Sequence, residues 1–421
     1  MNDPAQGKGQ KEELPQGRPS LTGLVLRFLV IGTIGFGGGM ANIALMERDL
    51  VRKRGLLSCE EFLHGVGFGQ LLGPFATNTA FFVGARLFGP LGGLLCAGAF
   101  MAPSVLVVIL FSWLYFTYHS IPSLQAAVQG VGPVVIALIL AAAWSLGQKA
   151  VRKPLTVAIA VLALTASLFR VNPVWVLAGA GVVGLLAGKS RLGGGGAPKA
   201  SGVDGGPVHG EEVRSQGDPG ASQDLPAPPG VLPVQALTVA GVSQAAVGAS
   251  LATLAWTFLK VGFVFFGGGF VLVPILHQRL VMQLHWLNTR EFLDGVAISN
   301  LTPGPIAVLA TFAGYHQHGI GGALVATAAL FAPAMVLMAG LSQGYGRFKG
   351  NARFSDFLAG VSPAVTGLVV GAAAILSPSA LHGLPSWGLM ALTLVLLLKF
   401  KAHPVFPLAA GALLGAVRWI A

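Results

Sequence analysis

The amino-acid sequence contains one series of motifs twice, and the second copy lies 230 residues after the first. Four motif pairs share this offset: Phe-Gly-Gly-Gly at 36–39 and 266–269, Glu-Phe-Leu at 61–63 and 291–293, Ala-Pro at 102–103 and 332–333, and Gly-Val-x-Pro at 130–133 and 360–363. So many matches at a single spacing indicate a tandem duplication. Each half of the chain is therefore expected to fold in the same way as the other.

The composition is that of a protein that crosses a membrane several times. Of 421 residues, 54% are hydrophobic and 10% are charged, whereas soluble domains carry about 25% charged residues. The net charge of +11 comes from basic residues in short loops between apolar runs, which favours control of membrane topology over nucleic-acid binding. Cys59 and Cys96 form no motif, so no disulfide framework or metal site is predicted.

The apolar runs divide the chain into four parts. Residues 1–20 are predicted to be a polar tail and do not resemble a cleavable signal peptide. Repeat 1 covers 21–188 and repeat 2 covers 234–421. Between them, the Gly- and Pro-rich segment 189–233 cannot bury a core and is predicted to be a disordered linker.

Loop charges predict that the two repeats are inverted relative to each other. In repeat 1, the loop at 148–153 is basic and the loop at 115–123 has no Lys or Arg; in repeat 2, the loop at 344–353 is basic and the loop at 378–384 has none. Basic loops face the cytoplasm, so homologous loops face opposite sides. The prediction is an all-α polytopic fold with about five transmembrane helices and one re-entrant helical hairpin per repeat. The linker is then cytoplasmic and both termini lie outside.

The glycine triplets interrupt apolar segments that are otherwise long enough to span a bilayer. Glycine weakens a helix, and freed backbone groups are tolerated in the membrane only where protein or a cavity surrounds them. One interpretation is a discontinuous helix whose N–H groups bind an anion, and the other is close packing of small residues between helices. The residues concerned are Gly37, Gly38, Gly39, Gly267, Gly268 and Gly269.

A second interruption follows in each repeat, at Gly73-Pro74 and at 302–305. Proline suits the first position of a helix, so each Gly-Pro is predicted to end one short helix and start another with its positive N-terminus inside the membrane. Polar residues cluster at these breaks, which favours a binding site over a simple proline kink. The predicted site includes Gln70, Gly73, Pro74, Thr77, Asn78, Asn300, Thr302, Pro303, Gly304 and Pro305.

Five ionisable residues in or near apolar segments are further candidates. Arg86 and Lys260 are predicted to supply positive charge to the site, although Arg86 also suits a position at the membrane interface. Glu61, Glu291 and Asp294 are candidates for proton coupling, and the alternative is that the glutamates are capping or solvated carboxylates. No hydrolase or Walker motif is present, so the sequence predicts neither an enzyme nor a cofactor.

These motifs together resemble the chromate ion transporter family in its long two-domain form. The resemblance rests on the paired Phe-Gly-Gly-Gly and Glu-Phe-Leu motifs, on Ile-Ala-Leu-Met at 43–46, on the run at 302–308, and on Asn78 with Phe-Val-Gly-x-Arg at 82–86. It covers both repeats. The sequence departs from the family pattern in three places: Leu72-Gly73-Pro74 replaces Pro-Gly-Pro, repeat 2 has no Asn that matches Asn78, and His316 stands where repeat 1 has Arg86.

What the resemblance implies is secondary active export of chromate, a tetrahedral oxyanion, across the bacterial inner membrane, with chromate resistance as the result. Sulfate or another oxyanion is an alternative substrate, and a passive anion channel is an alternative mechanism. The expected partners are chromate and the lipid bilayer, without nucleic acid. The sequence leaves the formation of a homo-oligomer open.

Overall fold

The computed structural model describes residues 20–35, 38–118, 122–192, 250–265, 269–343, 352–400 and 402–420. Within these ranges the chain is helical and contains no strand, and both repeats belong to one compact unit. The predicted all-α polytopic fold is confirmed. Among the described residues, four helices are long and apolar enough to cross a membrane: Phe75–Tyr118, Gln129–Gln148, Ile306–Ser342 and Ala359–Ala380.

Repeat 1 consists of seven described α-helices: α1 (Leu21–Ile34), α2 (Gly38–Met46), α3 (Cys59–Leu71), α4 (Phe75–Tyr118), α5 (Pro122–Ala150), α6 (Pro154–Leu168) and α7 (Pro173–Leu192). Repeat 2 follows the same order with α8 (Leu251–Val264), α9 (Leu272–Leu276), α10 (Thr289–Leu301), α11 (Leu309–Gln343), α12 (Ala352–Ala380), α13 (Gly383–Leu398) and α14 (Val405–Ile420). The segment predicted as a linker lies outside the described residues from 193 onward.

The charged segment after the first interruption differs from its prediction. The sequence predicts a loop at 47–54, but Glu47–Arg52 continues α2 as a π-helix. Arg52 pairs with Glu47 at 2.9 Å, and Arg27 of α1 pairs with Asp49 at 3.4 Å. These pairs partly compensate the charges on a helical surface, where the sequence pattern alone favours a loop.

Glycines turn α4 back on itself and divide it into α4a (75–88) and α4b (90–118). Gly89 adopts a positive φ of 74°, which glycine reaches without a steric penalty. Gly84 then packs on Gly92 and Phe81 on Gly93, so the two segments run antiparallel. In α11 the turn at Gly319, with φ of 57°, separates α11a (309–317) from α11b (320–343) in the same way.

A re-entrant hairpin precedes each of these turns. Gly65 of α3 packs on Phe82 of α4a and Gly69 packs near Phe75, so α3 enters the membrane and α4a leaves it on the same side. With 13 residues at 1.5 Å each, α3 extends about 20 Å, which is past the middle of a hydrocarbon core about 30 Å thick. α10 and α11a form the equivalent hairpin, with Gly295 on Phe312.

The two repeats exchange their last helices around a pseudo-two-fold axis. Gly360 of α12 packs against Ala180 and Gly184 of α7, and the equivalent Gly130 of α5 packs against Gly411 and Gly415 of α14. No side chain separates these backbones, which is typical of close helix contacts in membranes. Each repeat therefore buries helices of the other.

Contacts between α5 and α12 establish the inversion. These helices occupy equivalent places in the two repeats, yet Gly132 lies next to Ala380 while Gly147 lies next to Thr366. The helices are therefore antiparallel. Repeat 2 crosses the membrane in the direction opposite to repeat 1, as the loop charges predict.

The inversion predicts a specific cross-link. A Cβ atom on Gly132 would lie 3.4 Å from the Cβ of Ala380, close to the separation that a disulfide requires. In a variant lacking Cys59 and Cys96, Gly132→Cys with Ala380→Cys should oxidise readily in native membranes. After cleavage of the linker, the two halves should stay joined on a non-reducing gel.

The matched control is Gly132→Cys with Thr366→Cys. The two positions on α12 are about 21 Å apart at 1.5 Å per residue, so this pair should not cross-link. Cross-linking of the control pair without the first pair would mean that α5 and α12 are parallel, and the inversion would be wrong.

Candidate functional site

The two interruptions of each repeat lie side by side. A Cβ atom on Gly39, in the first turn of α2, would meet the ring of Phe75 at the start of α4a. In repeat 2, a Cβ atom on Gly269 would meet Ile306, the residue after Pro305. The glycine triplet therefore allows the tip of the re-entrant hairpin to approach closely. The described glycines of the triplets therefore show both predicted features: they lie at a helix interruption, and they allow close packing.

The tips of both hairpins also contact the opposite repeat. Gly73 has φ of 102°, and a Cβ atom there would lie 2.5 Å from the carbonyl oxygen of Phe265, at the end of α8. Gly304 has φ of 130° and packs on Ser104 of α4b, whose hydroxyl donates to the carbonyl of Pro303. We call the described residues of these interruptions, 35, 38–39, 72–75, 265, 269 and 302–306, the break cluster.

Asn78 is fully buried and holds the first hairpin tip together. Its Nδ2 group donates to the carbonyls of Leu72, at 3.2 Å, and Gly69, at 3.4 Å, so it caps the end of α3. The amide donors are thus used on backbone, and Oδ1 has no hydrogen-bond partner among the described residues. The buried Thr77 hydroxyl also lacks one.

Repeat 2 builds its tip from different groups. Val308 and Leu309 occupy the places of Thr77 and Asn78. The end of α10 is instead closed by local bonds, because Thr302 donates to the carbonyl of Ser299 at 2.9 Å and Asn300 donates to that of Val296 at 2.8 Å. The break cluster is therefore symmetric in backbone and asymmetric in side chains.

The structure describes most of the predicted glycines and prolines, and brings them to the break cluster. Gly38 and Gly39 open α2, Gly269 opens a short 3-10 turn, and Pro74 precedes α4a. Gly37, Gly267 and Gly268 lie outside the described residues, as does the side chain of Gln70, although its backbone belongs to α3.

Neither predicted cation lies at the break cluster. Arg86 is near the surface end of α4a, about 17 Å along the helix from Phe75 at 1.5 Å per residue. It pairs with Glu61 of α3 at 2.5 Å and 2.6 Å and closes the mouth of the first hairpin. Lys260 is exposed, and its ammonium lies 4.9 Å from the ring centre of Trp256 on the outer face of α8.

Glu291 of the second hairpin acts as a helix cap. Its carboxylate accepts a hydrogen bond from the backbone N–H of Asn288 at 2.8 Å, while the Asn288 side chain accepts from the N–H of Glu291 at 2.9 Å. This is a capping box. In repeat 1, Ser58 caps α3 by accepting from the N–H of Glu61, whose carboxylate is committed to Arg86.

Asp294 is the buried member of the three candidate carboxyl groups, with 5% of its surface exposed. Its carboxylate accepts a hydrogen bond of 2.7 Å from the Tyr115 hydroxyl, so it joins α10 of repeat 2 to α4b of repeat 1. α10 is too short to span the bilayer. Burial raises the pKa of Asp294 to about 7, although the Tyr115 hydrogen bond and Arg290 lower it.

A cleft of about 230 Å³ opens beside Asp294 at the mouth of the second hairpin. Its lining comes from α5, from the first turns of α10, and from the end of α12 with the loop that follows. We call it the α10 cleft, and it is lined by Gln129, Gly132, Arg290, Leu293, Asp294, Ser379, Ala380 and His382.

No sequence motif marks Arg290, Gln129, His382 or Tyr115 as a site residue. The spacing of Arg290 and Asp294, four residues apart and hence on one helix face, was the available signal. The contributions of α5 and of the loop after α12 depend on inter-repeat packing, which the sequence pattern does not give.

This architecture defines a class of protein. An all-helical chain with two inverted repeats, re-entrant hairpins from opposite sides and broken helices that meet between them is a polytopic membrane protein of the inverted-repeat type found among secondary transporters.

The comparison with protein families gives the particular family. The model of the "Chromate transporter" family matches residues 22–185 and again residues 252–416. The chain belongs to this family, as the sequence motifs predict.

Named relatives agree with this assignment. The chain is 31% identical over 405 residues to a "Probable chromate transport protein" of Synechococcus elongatus, covering 95% of this chain and 96% of that one. It is 31% identical over 412 residues to the "Chromate transport protein" of Cupriavidus metallidurans, covering 95% and 94%. The "Uncharacterized transporter YwrA" of Bacillus subtilis is 28% identical over 159 residues, which are 36% of this chain and 88% of YwrA. No solved structure matches the chain.

The hairpin tip predicts a backbone requirement at Gly73. Gly73→Ala should destabilise the protein by roughly 1–3 kcal/mol, because alanine is strained at a positive φ and its Cβ would press on the Phe265 carbonyl. Thermal unfolding of the purified protein in detergent measures this. Gly67→Ala is the matched control, since that helical position in α3 has open space and should gain about 0.5–1 kcal/mol. Equal stability of the two variants would contradict the tip geometry.

Proposed function

We propose that this protein is a secondary active transporter that exports chromate across the bacterial inner membrane and so confers chromate resistance. The observation that carries the proposal is the meeting of both repeats' helix breaks in one cluster. The named relatives described as chromate transport proteins, which match nearly the whole chain, support chromate as the substrate.

The break cluster offers an anion the right kind of partner. α4a begins after Pro74 and the 3-10 turn of repeat 2 begins after Pro305, so each has first-turn N–H groups without a helical acceptor. Each helix start also carries about half a positive charge. A site between two such starts would suit a doubly charged tetrahedral oxyanion, whose oxygens accept hydrogen bonds from several directions.

Membrane energetics favour the outward direction for such an ion. Moving one elementary charge across the membrane potential is worth about 2.3 kcal/mol per 100 mV, so a dianion gains about twice that on leaving a cell whose interior is negative. Export therefore has a driving force of its own. Asp294 is the proposed proton-coupling group, because the carboxylates of Glu61 and Glu291 are committed to Arg86 and to the helix cap.

Sulfate remains a second candidate substrate. It shares the shape and charge of chromate, and contacts made through backbone N–H groups discriminate weakly between such ions. A passive channel is the alternative mechanism, and it would show flux that neither saturates nor couples to a gradient.

The proposal predicts potential-driven chromate flux in proteoliposomes that contain the purified full-length chain. Flux should saturate, should increase when the potential is negative on the side that chromate leaves, and should be reduced by sulfate on that side. Expression in cells should lower chromate accumulation. Normal accumulation with verified protein in the membrane would refute chromate export, and linear flux without saturation would establish a channel.

The ion pair between Arg86 and Glu61 predicts how substitutions at the first hairpin mouth behave. Arg86→Gln and Glu61→Gln should each lower thermal stability, the double variant should recover part of the loss, and the apparent affinity for chromate should change by less than threefold. A direct contact with the anion would instead weaken affinity about tenfold or more in Arg86→Gln alone, since a charge-assisted hydrogen bond is worth roughly 1.5–3 kcal/mol. Parallel stability and flux measurements distinguish the two.

A further inference from the structure

The α10 cleft has an exposed, polar rim and a buried floor. Gln129, Arg290, Ser379 and His382 are exposed around it, while Leu293, Asp294 and Ala380 are buried at its base. The cleft therefore connects the surface of the protein with a carboxyl group held about two turns inside the mouth of the second hairpin. By the loop charges this mouth faces outside.

The rim presents groups that bind oxyanions. The Arg290 guanidinium offers several N–H donors in a planar arrangement that matches tetrahedral oxyanions, and it lies in the first turn of α10, where the helix dipole also favours negative charge. The Gln129 amide and the Ser379 hydroxyl can each donate a hydrogen bond. His382 adds a second site for positive charge when it is protonated.

Repeat 1 shows that these charges are not a requirement of the fold. The equivalent hairpin helix, α3, carries Glu60 and His64 at the positions of Arg290 and Asp294, and both hairpins adopt the same antiparallel form. The carboxyl group thus stands at the first of these two positions in repeat 1 and at the second in repeat 2.

We propose that the α10 cleft is a second oxyanion site, at which Arg290 binds the anion above the Asp294 carboxyl group. This inference rests on the proposed function and extends it from the break cluster to the outer mouth. The same chemistry fits a transported tetrahedral oxyanion and the phosphate of a lipid headgroup, and the experiment below separates these two sources.

The position of Asp294 makes the site respond to protons. An ionised Asp294 carboxylate repels a dianion bound at Arg290. A protonated Asp294 carboxyl group is neutral and does not repel it. Anion binding and protonation of Asp294 therefore favour each other. Glu291 is a further titratable group on α10 itself. From neighbouring elements, His277 and Tyr115 contact α10 directly, and His316 and His382 lie nearby.

The pKa of Asp294 is about 7, so the anion should bind more tightly below this pH and more weakly as the pH rises through it. Protonation of His382 acts in the same direction, so a variant of each residue is needed to assign the effect.

The experiment measures inhibition of chromate flux by sulfate added on the side of the α10 cleft, with the full-length chain in proteoliposomes of neutral lipid. Arg290→Gln should raise the inhibitory sulfate concentration about tenfold or more, which is the loss of one charge-assisted hydrogen bond. Arg279→Gln is the matched control, because Arg279 is a half-buried arginine of the same repeat that donates to Gln283 at 2.8 Å and does not line the cleft, and it should leave inhibition unchanged. Equal inhibition of the wild type and Arg290→Gln, with chromate flux intact, would overturn the second site and leave the proposed function standing.

Two further arms complete the test. Wild-type inhibition should weaken from about pH 6 to about pH 8, on either side of the Asp294 pKa of about 7; Asp294→Asn should abolish this change and His382→Gln should keep it. A pH dependence that persists in Asp294→Asn and disappears in His382→Gln would overturn the role of Asp294. If Arg290→Gln altered flux only in liposomes with anionic lipid, and never altered sulfate inhibition, the ligand would be a lipid phosphate and the transported-oxyanion site would be refuted. Absence of chromate flux in the wild type would instead refute the proposed function.

Discussion

The structure depends on one constraint, which is that backbone N–H and C=O groups cannot be left exposed to hydrocarbon. A broken helix is therefore stable in a membrane only where other protein surrounds the break. In this chain the breaks at Gly73, Phe265 and Gly304 are each covered twice, by the other break of the same repeat and by the opposite repeat. Gly39 against Phe75 is a contact of the first kind, and Gly73 against Phe265 is one of the second. Exchange of the last helices between repeats then fixes the breaks in position.

Much of this arrangement could be predicted from the sequence, because it follows from the spacing of the repeated motifs, the charges of the loops and the backbone properties of glycine and proline. The 230-residue offset gives two equivalent repeats, the loop charges give their inversion, and Gly-Pro gives the hairpin tips. Contacts between distant segments could not be predicted. Arg86 is an example: within the sequence it is a cation in an apolar run, and only the antiparallel pairing of α3 with α4a brings it to Glu61.

The same limit applies to the acidic candidates. Glu61, Glu291 and Asp294 look alike in the sequence, since all three fall in the first turns of a short helix. The structure separates them by their surroundings. Glu291 completes a capping box, Glu61 pairs with arginine, and Asp294 is turned inward against Tyr115 of the other repeat. Burial and inter-repeat hydrogen bonding, rather than spacing, make Asp294 different.

The different surroundings of Asp294 bear on how a transporter with inverted repeats can favour one of its two conformations, inward-open or outward-open. Perfect symmetry would give inward-open and outward-open states of equal free energy, so any bias must come from contacts that the symmetry does not repeat. The hydrogen bond between Tyr115 and Asp294 is such a contact, because His64 occupies the position of Asp294 in repeat 1. A hydrogen bond to a charged group contributes roughly 1.5–3 kcal/mol, which is comparable with the few kcal/mol that separate two conformations of a typical protein. A proton on Asp294 removes that charge and weakens the bond between α10 and α4b. Through the Asp294 carboxyl group, an anion in the α10 cleft and a proton from the same side can both change the free-energy difference between the inward-open and outward-open states.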